Sequence, residues 1–216
     1  MAEAVDSAYR VIREGILTGE FPQGSHITAR QLAEATGLSR TPVREAMRRL
    51  DAEGMITLIP NRGAFVARWS DEEIKQIYEL RVLLESFAAQ VAAERITAAE
   101  RADLQALAEE MGRLVEEQPI DFDAIASVND RFHKGLLEAC GNRRLRDLLG
   151  TITKVPLQLS TFRRYSIDEL RRSAAQHSEL VSALAVGDSD WARSVMTAHI
   201  RSARHTLLKG HEAAES

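Results

Sequence analysis

The chain of 216 residues holds a single cysteine, Cys140, so no disulfide can form within it. A reducing cytosol suits that composition, and the place of Cys140 near a predicted helix end reads as a structural thiol. No stretch reaches the ~20 apolar residues needed to span a bilayer. The opening MAEAVDSAYR has neither the basic start nor the apolar segment of a secretory signal, so a cytoplasmic location without membrane contact is expected. Internal repeats and low-complexity tracts are absent, and beyond residue 70 so is any strand pattern. Positive charge is also short, because the net charge of −4 has the wrong sign for a partner of nucleic acid.

What is present qualifies that last point. Apolar residues make up 44% and charged residues 28%, the mixture of an ordinary globular protein, and the length favours one large or two modest domains. Residues 1–70 carry nine Lys/Arg against eight Asp/Glu, for +1, and the remainder carries nineteen against twenty-four, for −5. Within Arg40–Arg49 four arginines face one acid, Glu45, for +3. A local stripe of this kind, not the whole-chain sum, sets contact with phosphates.

Val5, Ala8, Tyr9, Ile12, Ile16 and Leu17 recur at helical spacing over ~4–18, and Gly19 with Pro22-Gln23-Gly24 ends that helix. Thr28 is the expected N-cap of a short helix, Ala29–Thr36, and Gly37 suits a left-handed turn. Ser39 is the expected cap of the next helix, whose apolar face carries Val43, Ala46, Met47 and Leu50 and which closes at Gly54. Short strands over 55–59 and 64–68 flank the turn Pro60-Asn61-Arg62-Gly63. Helix, turn, helix, then hairpin is the order of a winged helix-turn-helix.

From Ser70-Asp71-Glu72-Glu73 onward the period is helical. Segments of ~71–94, ~97–117, ~121–139, ~142–162, ~166–186 and ~188–209, joined by short loops, predict an antiparallel bundle, with the tail from His211 fraying. The expected fold class is mainly α: a winged helix-turn-helix in residues 1–70 and an all-helical bundle of about six helices in residues 71–216.

Arg40, Arg44 and Arg48 recur every four residues and share one helix face, while Val43, Met47 and Leu50 share another. The helix N-terminus adds partial positive charge, and Ser39 and Thr41 offer hydroxyls to phosphate. An arginine fork also matches a guanine edge in the major groove. Arg30 starts the preceding helix, and Arg62 and Gly63 sit at the hairpin tip. Arg48 and Arg49 are placed either to neutralise phosphates or to pair with Glu45 and Glu53. The rival reading of the whole stripe is a solvated basic face. Ser39-Arg40-Thr41-Pro42-Val43-Arg44-Glu45-Ala46 resembles the recognition-helix signature of the GntR superfamily, and the likeness spans residues ~5–68. That resemblance implies operator contacts by Arg30, Ser39, Arg40, Thr41, Arg44, Arg62 and Gly63, and binding of palindromic double-stranded DNA as a homodimer.

Asn129 and His133 are one turn apart on one predicted helix, with Asp130 between them. His177 is followed by Leu180, Val181 and Leu184, and His199 is flanked by Val195, Met196 and Ile200. Three histidines beside apolar stripes on three helices can converge on a divalent, zinc-like ion. The rival is three partly buried, hydrogen-bonded histidines, since no pair has the tight spacing of a zinc helix. Arg81 interrupts the apolar run Leu80–Leu84, and Glu85 lies one turn on. On spacing alone they read as a solvent-facing i,i+4 pair. His205, His26 and His211 lie off the helix face, in a loop and in the tail.

Over ~71–209 the chain resembles the FCD ligand-binding domain of the FadR subfamily. Tyr78-Glu79-Leu80-Arg81-Val82-Leu83-Leu84-Glu85 and Asn129-Asp130-Arg131-Phe132-His133, with Gly141-Asn142, His177 and His199, carry the likeness. It implies a metal ion held by Asn129, His133, His177 and His199, and a small carboxylate effector bound by Arg81. Many such members have aspartate where Asn129 stands; a neutral amide oxygen binds an ion more weakly, and Asp130 substitutes if the helix rotates.

The expected function is a DNA-binding transcriptional regulator, a repressor whose operator affinity is set by a small organic acid in a metal-containing helical pocket. In one alternative the ion itself is the effector. A metal-dependent enzyme is the remote alternative: it lacks a general base beside the histidines and leaves the N-terminal domain unexplained.

Overall fold

The computed structural model describes residues 2–60, 62–152 and 162–212. The described residues fall into two compact units, residues 2–70 and 71–212.

In the first unit α1 (Ala2–Thr18) lays Ala8 and Ile12 on the core. A two-residue strand, β1 (His26–Ile27), leads into α2 (Ala29–Thr36). Thr28 caps α2 in a reciprocal box: its hydroxyl accepts from Gln31 N–H, and the Gln31 side chain accepts from Thr28 N–H. Gly37 ends α2 at φ 67, a left-handed conformation that costs a side chain dearly and glycine little. Then follow α3 (Arg40–Ala52), β2 (Ile56–Ile59) and β3 (Gly63–Val66). The sheet is antiparallel in the order β1-β3-β2, with Ile56 opposite Val66, Ile59 opposite Gly63 and Ile27 opposite Ala64. Leu32, Val43, Met47, Leu50, Ile56 and Val66 close one core beneath it.

Two sequence expectations change here. His26 is not in a loop but in β1, which makes the wing three-stranded. Ser39 occupies the N-cap position of α3 but makes no side-chain cap bond. The third residue of that helix is Pro42, and proline has no N–H to give the Ser39 oxygen.

The described residues of the second unit form α4 (Asp71–Arg95), α5 (Ala98–Leu114), α6 (Phe122–Cys140), α7 (Arg143–Ile152), α8 (Ile167–Val186) and α9 (Ser189–Glu212). Thr97 with Glu100 and Ser166 with Glu169 form capping boxes, and Asp121 caps α6 through two backbone N–H groups. The helix expected over ~142–162 is observed from Arg143 to Ile152; residues 153–161 lie outside the described residues, as do Asn61 and residues 213–216. The helical tail continues through His211 to Glu212, where fraying was expected. α9 packs along α4, which also meets α6 and α8, while α5 lies against α6 and α8. Cys140 is fully buried at the end of α6. No described helix is long and apolar enough to cross a membrane.

Candidate functional site

In the first unit a cleft of ≈ 700 Å3 runs between α3 and the wing. Arg30, Arg40, Arg44, Arg48 and Arg62 line it, together with Gly63, and no acidic residue does among the described residues. α3 produces this because its buried face is Pro42, Val43, Ala46, Met47 and Leu50, so Arg40, Arg44 and Arg48 project from the opposite side. Arg30 pairs with Glu34 at 3.0 Å and Arg48 with Glu45 at 2.6 Å, all four exposed. Arg40 and Arg44 make no ion pair among the described residues. Arg49 leaves the cleft: it pairs with Asp6 at 2.6 Å and lies 4.3 Å over the Tyr9 ring. The expected Glu53 partner instead accepts from Tyr9 Oη at 2.7 Å. Burial first, then that bond to Glu53, pushes the Tyr9 phenol up to about 12.

In the second unit, three helices each deliver two side chains one turn apart to one chamber: Arg81 and Glu85 from α4, Asn129 and His133 from α6, Ser173 and His177 from α8. α9 adds His199, and all seven are at least nine-tenths buried. The ligating atoms of His133, His177 and His199 lie within 4.8 Å of one another. Nε2 of His133 and Nε2 of His199 are 3.3 Å apart. Two ligands of a tetrahedral zinc at 2.0–2.1 Å stand about 3.3 Å from each other.

The opposite ring nitrogens are each engaged. His133 Nδ1 donates to Glu85 Oε2 at 2.7 Å, His199 Nδ1 to Gln176 Oε1 at 3.2 Å, and His177 Nδ1 meets Met111 Sδ at 2.9 Å. This pattern leaves the Nε2 lone pairs facing inward. His177 Nε2 and Asn129 Oδ1 are buried with no hydrogen-bond partner. Burial, and then its histidine neighbours, holds the His177 imidazole well below its ordinary range; burial followed by His133 holds His199 down to about 3. Both rings are therefore neutral and able to give a lone pair to a cation. Two neutral imidazoles, the His133 ring beside them and an unpartnered amide oxygen fit a divalent ion. The pocket beside them, bounded by Tyr78, Arg81, Asn129, Tyr165, Ser173 and Ala203 among others, measures ≈ 20 Å3.

Arg81 faces inward, 5% exposed, and its Nε donates to Glu85 Oε1 at 2.7 Å. Burial alone would raise the Glu85 carboxyl; the charge of Arg81 first, then the hydrogen bonds from His133 and Arg81, overcome it and bring it down to about 2. Asp130, the expected substitute for Asn129, is not at the site: it pairs with Lys134 at 2.7 Å on the outer face of α6. Sequence reasoning missed the link from Glu85 to His133 and the contacts of Gln176 and Met111. The spacing of Arg81 and Glu85 showed that they pair, but not on which side of α4. His205 is exposed and borders a separate cavity of ≈ 30 Å3.

Residues 4–66 match the description "Bacterial regulatory proteins, gntR family", and residues 76–202 match the FCD domain. The chain belongs to the gntR family of bacterial regulatory proteins. Its FCD domain places it among the FadR-like regulators of that family, which are transcriptional regulators and not enzymes. It is 36% identical over 143 residues to an uncharacterised HTH-type transcriptional regulator of Agrobacterium vitis, covering 64% of this chain and 81% of that one. It is 30% identical over 181 residues to the Nta operon transcriptional regulator of Aminobacter aminovorans, covering 84% and 83%. The solved structure of E. coli McbR/YncC superposes with a TM-score of 0.70 over 98% of this chain and 100% of its own, at 22% identity, a likeness of fold.

Proposed function

We propose that this gntR-family chain is a cytoplasmic, homodimeric repressor that binds a palindromic operator and releases it when a small organic acid enters the metal-containing chamber of its FCD domain. The observation that carries the DNA reading is the cleft lined by five arginines, of which Arg40 and Arg44 make no ion pair among the described residues. Arg40 and Arg44 project from α3 toward base edges, and Ser39 and Thr41 sit at the helix N-terminus, where hydroxyls and free N–H groups meet phosphate. Arg30 reaches the backbone beside them, and Arg62 and Gly63 carry the wing to the minor groove. Support for a second copy comes from α4, where Leu80, Leu83 and Phe87 form an exposed apolar stripe at helical spacing, 46%, 65% and 47% accessible.

In the chamber, Asn129, His133, His177 and His199 would hold a zinc-like ion. Bound there, it would supply a Lewis-acid charge for an acid's oxygens beside Arg81, whose fork suits a carboxylate. Release of DNA then follows from linkage: the acid must bind one arrangement of the dimer more tightly than the other. The test is anisotropy of a labelled duplex across a salt series. Log affinity falls linearly with log salt if arginines displace counterions from phosphate; affinity that is absent, or indifferent to salt, contradicts the proposal.

A second reading is favoured by the size of the chamber. A pocket of ≈ 20 Å3 has room for about one water, so an acid needs side chains to move whereas an ion does not. In that reading the ion is the signal. Chelation separates the two: if removing metal alone changes duplex affinity with no acid present, the ion is the effector.

A further inference from the structure

The wing carries a residue that the DNA reading has not used. β1 is two residues long and pairs with β3 only through His26 opposite Phe65 and Ile27 opposite Ala64. The hairpin tip lies beyond that short ladder, held by the turn bond from Arg62 N–H to Ile59 O at 3.0 Å. His26 reaches across the gap. Its Nε2 hydrogen-bonds the carbonyl of Arg62, 36 residues away. A carbonyl only accepts, so this nitrogen carries the proton and donates. The same ring tilts against Phe65 with centroids 5.1 Å apart. It also closes over Gly63, whose φ is +99 and where a Cβ would fall 3.2 Å from His26 Nε2 and against the Ile27 carbonyl.

We infer that His26 is a positioning residue for DNA contact: by holding the Arg62 carbonyl it sets the direction in which the Arg62 guanidinium leaves the wing tip and enters the arginine cleft. The physical reason is that fixing the carbonyl fixes the Arg62 backbone, and with it the direction of the Cα–Cβ bond from which the guanidinium starts. Without the imidazole the tip keeps the Ile59 turn bond and the Ile59–Gly63 end of the β2–β3 ladder but loses its tie to β1, and Arg62 spreads over more directions. Ordering that arginine beforehand lowers the entropy lost on binding a phosphate. Gly63 is part of the same device, because any side chain there would displace the Ile27 carbonyl or the imidazole. The inference rests on the proposal that the wing contacts DNA, and the experiment separates the two.

The measurement is duplex affinity against salt for the full chain and three variants: His26→Phe, Arg62→Ala and the double variant. Phenylalanine keeps the ring against Phe65 and removes the N–H. Arg62→Ala reduces the salt slope by about one phosphate contact and affinity roughly tenfold, the size of one charge-assisted hydrogen bond. His26→Phe is expected to lose a comparable amount, and the double variant no more than Arg62→Ala alone. His26→Gln, which restores a donor, regains part of the loss, and that gain would not follow from a merely structural ring. Equal binding by His26→Phe and the unsubstituted chain overturns the inference, as does full additivity in the double variant, which would make His26 an independent contact. If Arg62→Ala binds as the unsubstituted chain does, the wing reading fails first. Thermal unfolding of each variant shows whether a loss of binding is only a loss of fold.

Discussion

The Nδ1–H of His133 on α6 donates to Glu85 Oε2 on α4 at 2.7 Å, both residues buried. The other oxygen of Glu85 accepts from Arg81 at 2.7 Å. One carboxylate therefore orients a histidine of the proposed ion site and neutralises the arginine proposed for the acid. Anything that moves Arg81 acts on His133 through two hydrogen bonds.

Glu85→Gln tests that link. The amide nearly keeps the shape and loses the charge, which leaves the buried Arg81 guanidinium without a counter-ion. Removing one partner of a buried pair costs about 3–5 kcal/mol, and removing a partner behind a ligating histidine costs about 10–100-fold in metal affinity. The expected results are a lower unfolding midpoint in urea and weaker zinc binding in a chelator competition. Unchanged zinc affinity would show that His133 does not depend on Glu85.

Metal-free protein should lose stability in acid, in a window set by the histidines. His199 is held down to about 3, and His177 lies well below its ordinary value, both through burial first. Unfolded imidazoles take up protons near pH 6.5. Below that value the unfolded chain binds more protons than the folded one, so stability falls as pH falls toward 3. For His199 alone the loss is roughly 2 kcal/mol by about pH 5. Glu85, lowered to about 2, acts only in a more acid window, below its unfolded value of 4.5. Urea midpoints of chelator-treated protein at about pH 8 and about pH 5 measure the first window; equal midpoints contradict the burial of neutral imidazoles.

Arg44 and Arg49 leave α3 on different sides and have different tasks. Arg44 lines the cleft, whereas Arg49 is spent on Asp6 and the Tyr9 ring. Arg44→Ala should weaken duplex binding and lower the salt slope by about one. Arg49→Ala should lower the unfolding midpoint of the first unit and leave the slope alone. The reverse pattern would move the DNA-facing side of α3.

Leu83 is the most exposed of the three apolar residues on the outer face of α4. Leu83→Glu places a charge where a second copy is proposed to dock, and burying it there costs desolvation. Sedimentation should show a dimer for the unsubstituted chain and a shift toward monomer for the variant. A dimer unaffected by Leu83→Glu would place the interface elsewhere.

The elements written in local chemistry were legible. The Thr28 cap, Gly37 after α2 and the break at Gly141 follow from residues within a few positions, and the helix order followed from period. β1 was not legible, because two residues show no alternation and their partners lie 38 residues or so away at Ala64 and Phe65. Ser39 was misread by treating the cap alone, without the missing N–H of Pro42. α4 was the hardest: apolar residues lie nearly all round it, so the leucines of its outer face and the Arg81–Glu85 pair of its inner face invert the usual pattern. His133, His177 and His199 were legible as candidates from their apolar neighbours. Asn129 is legible as a neutral residue where aspartate is expected, whereas Glu85, already noted as a partner for Arg81, gave no sign of its bond to His133.

The central claim is that the chamber and the arginine cleft communicate, and one titration tests it most directly. Zinc-loaded protein is first shown by calorimetry to bind a small carboxylic acid, and its affinity for operator-bearing duplex is then measured with and without that acid at fixed salt. The account predicts weaker DNA binding by about 5–150-fold, a coupling of about 1–3 kcal/mol. An acid that demonstrably fills the chamber and leaves duplex affinity unchanged would contradict it.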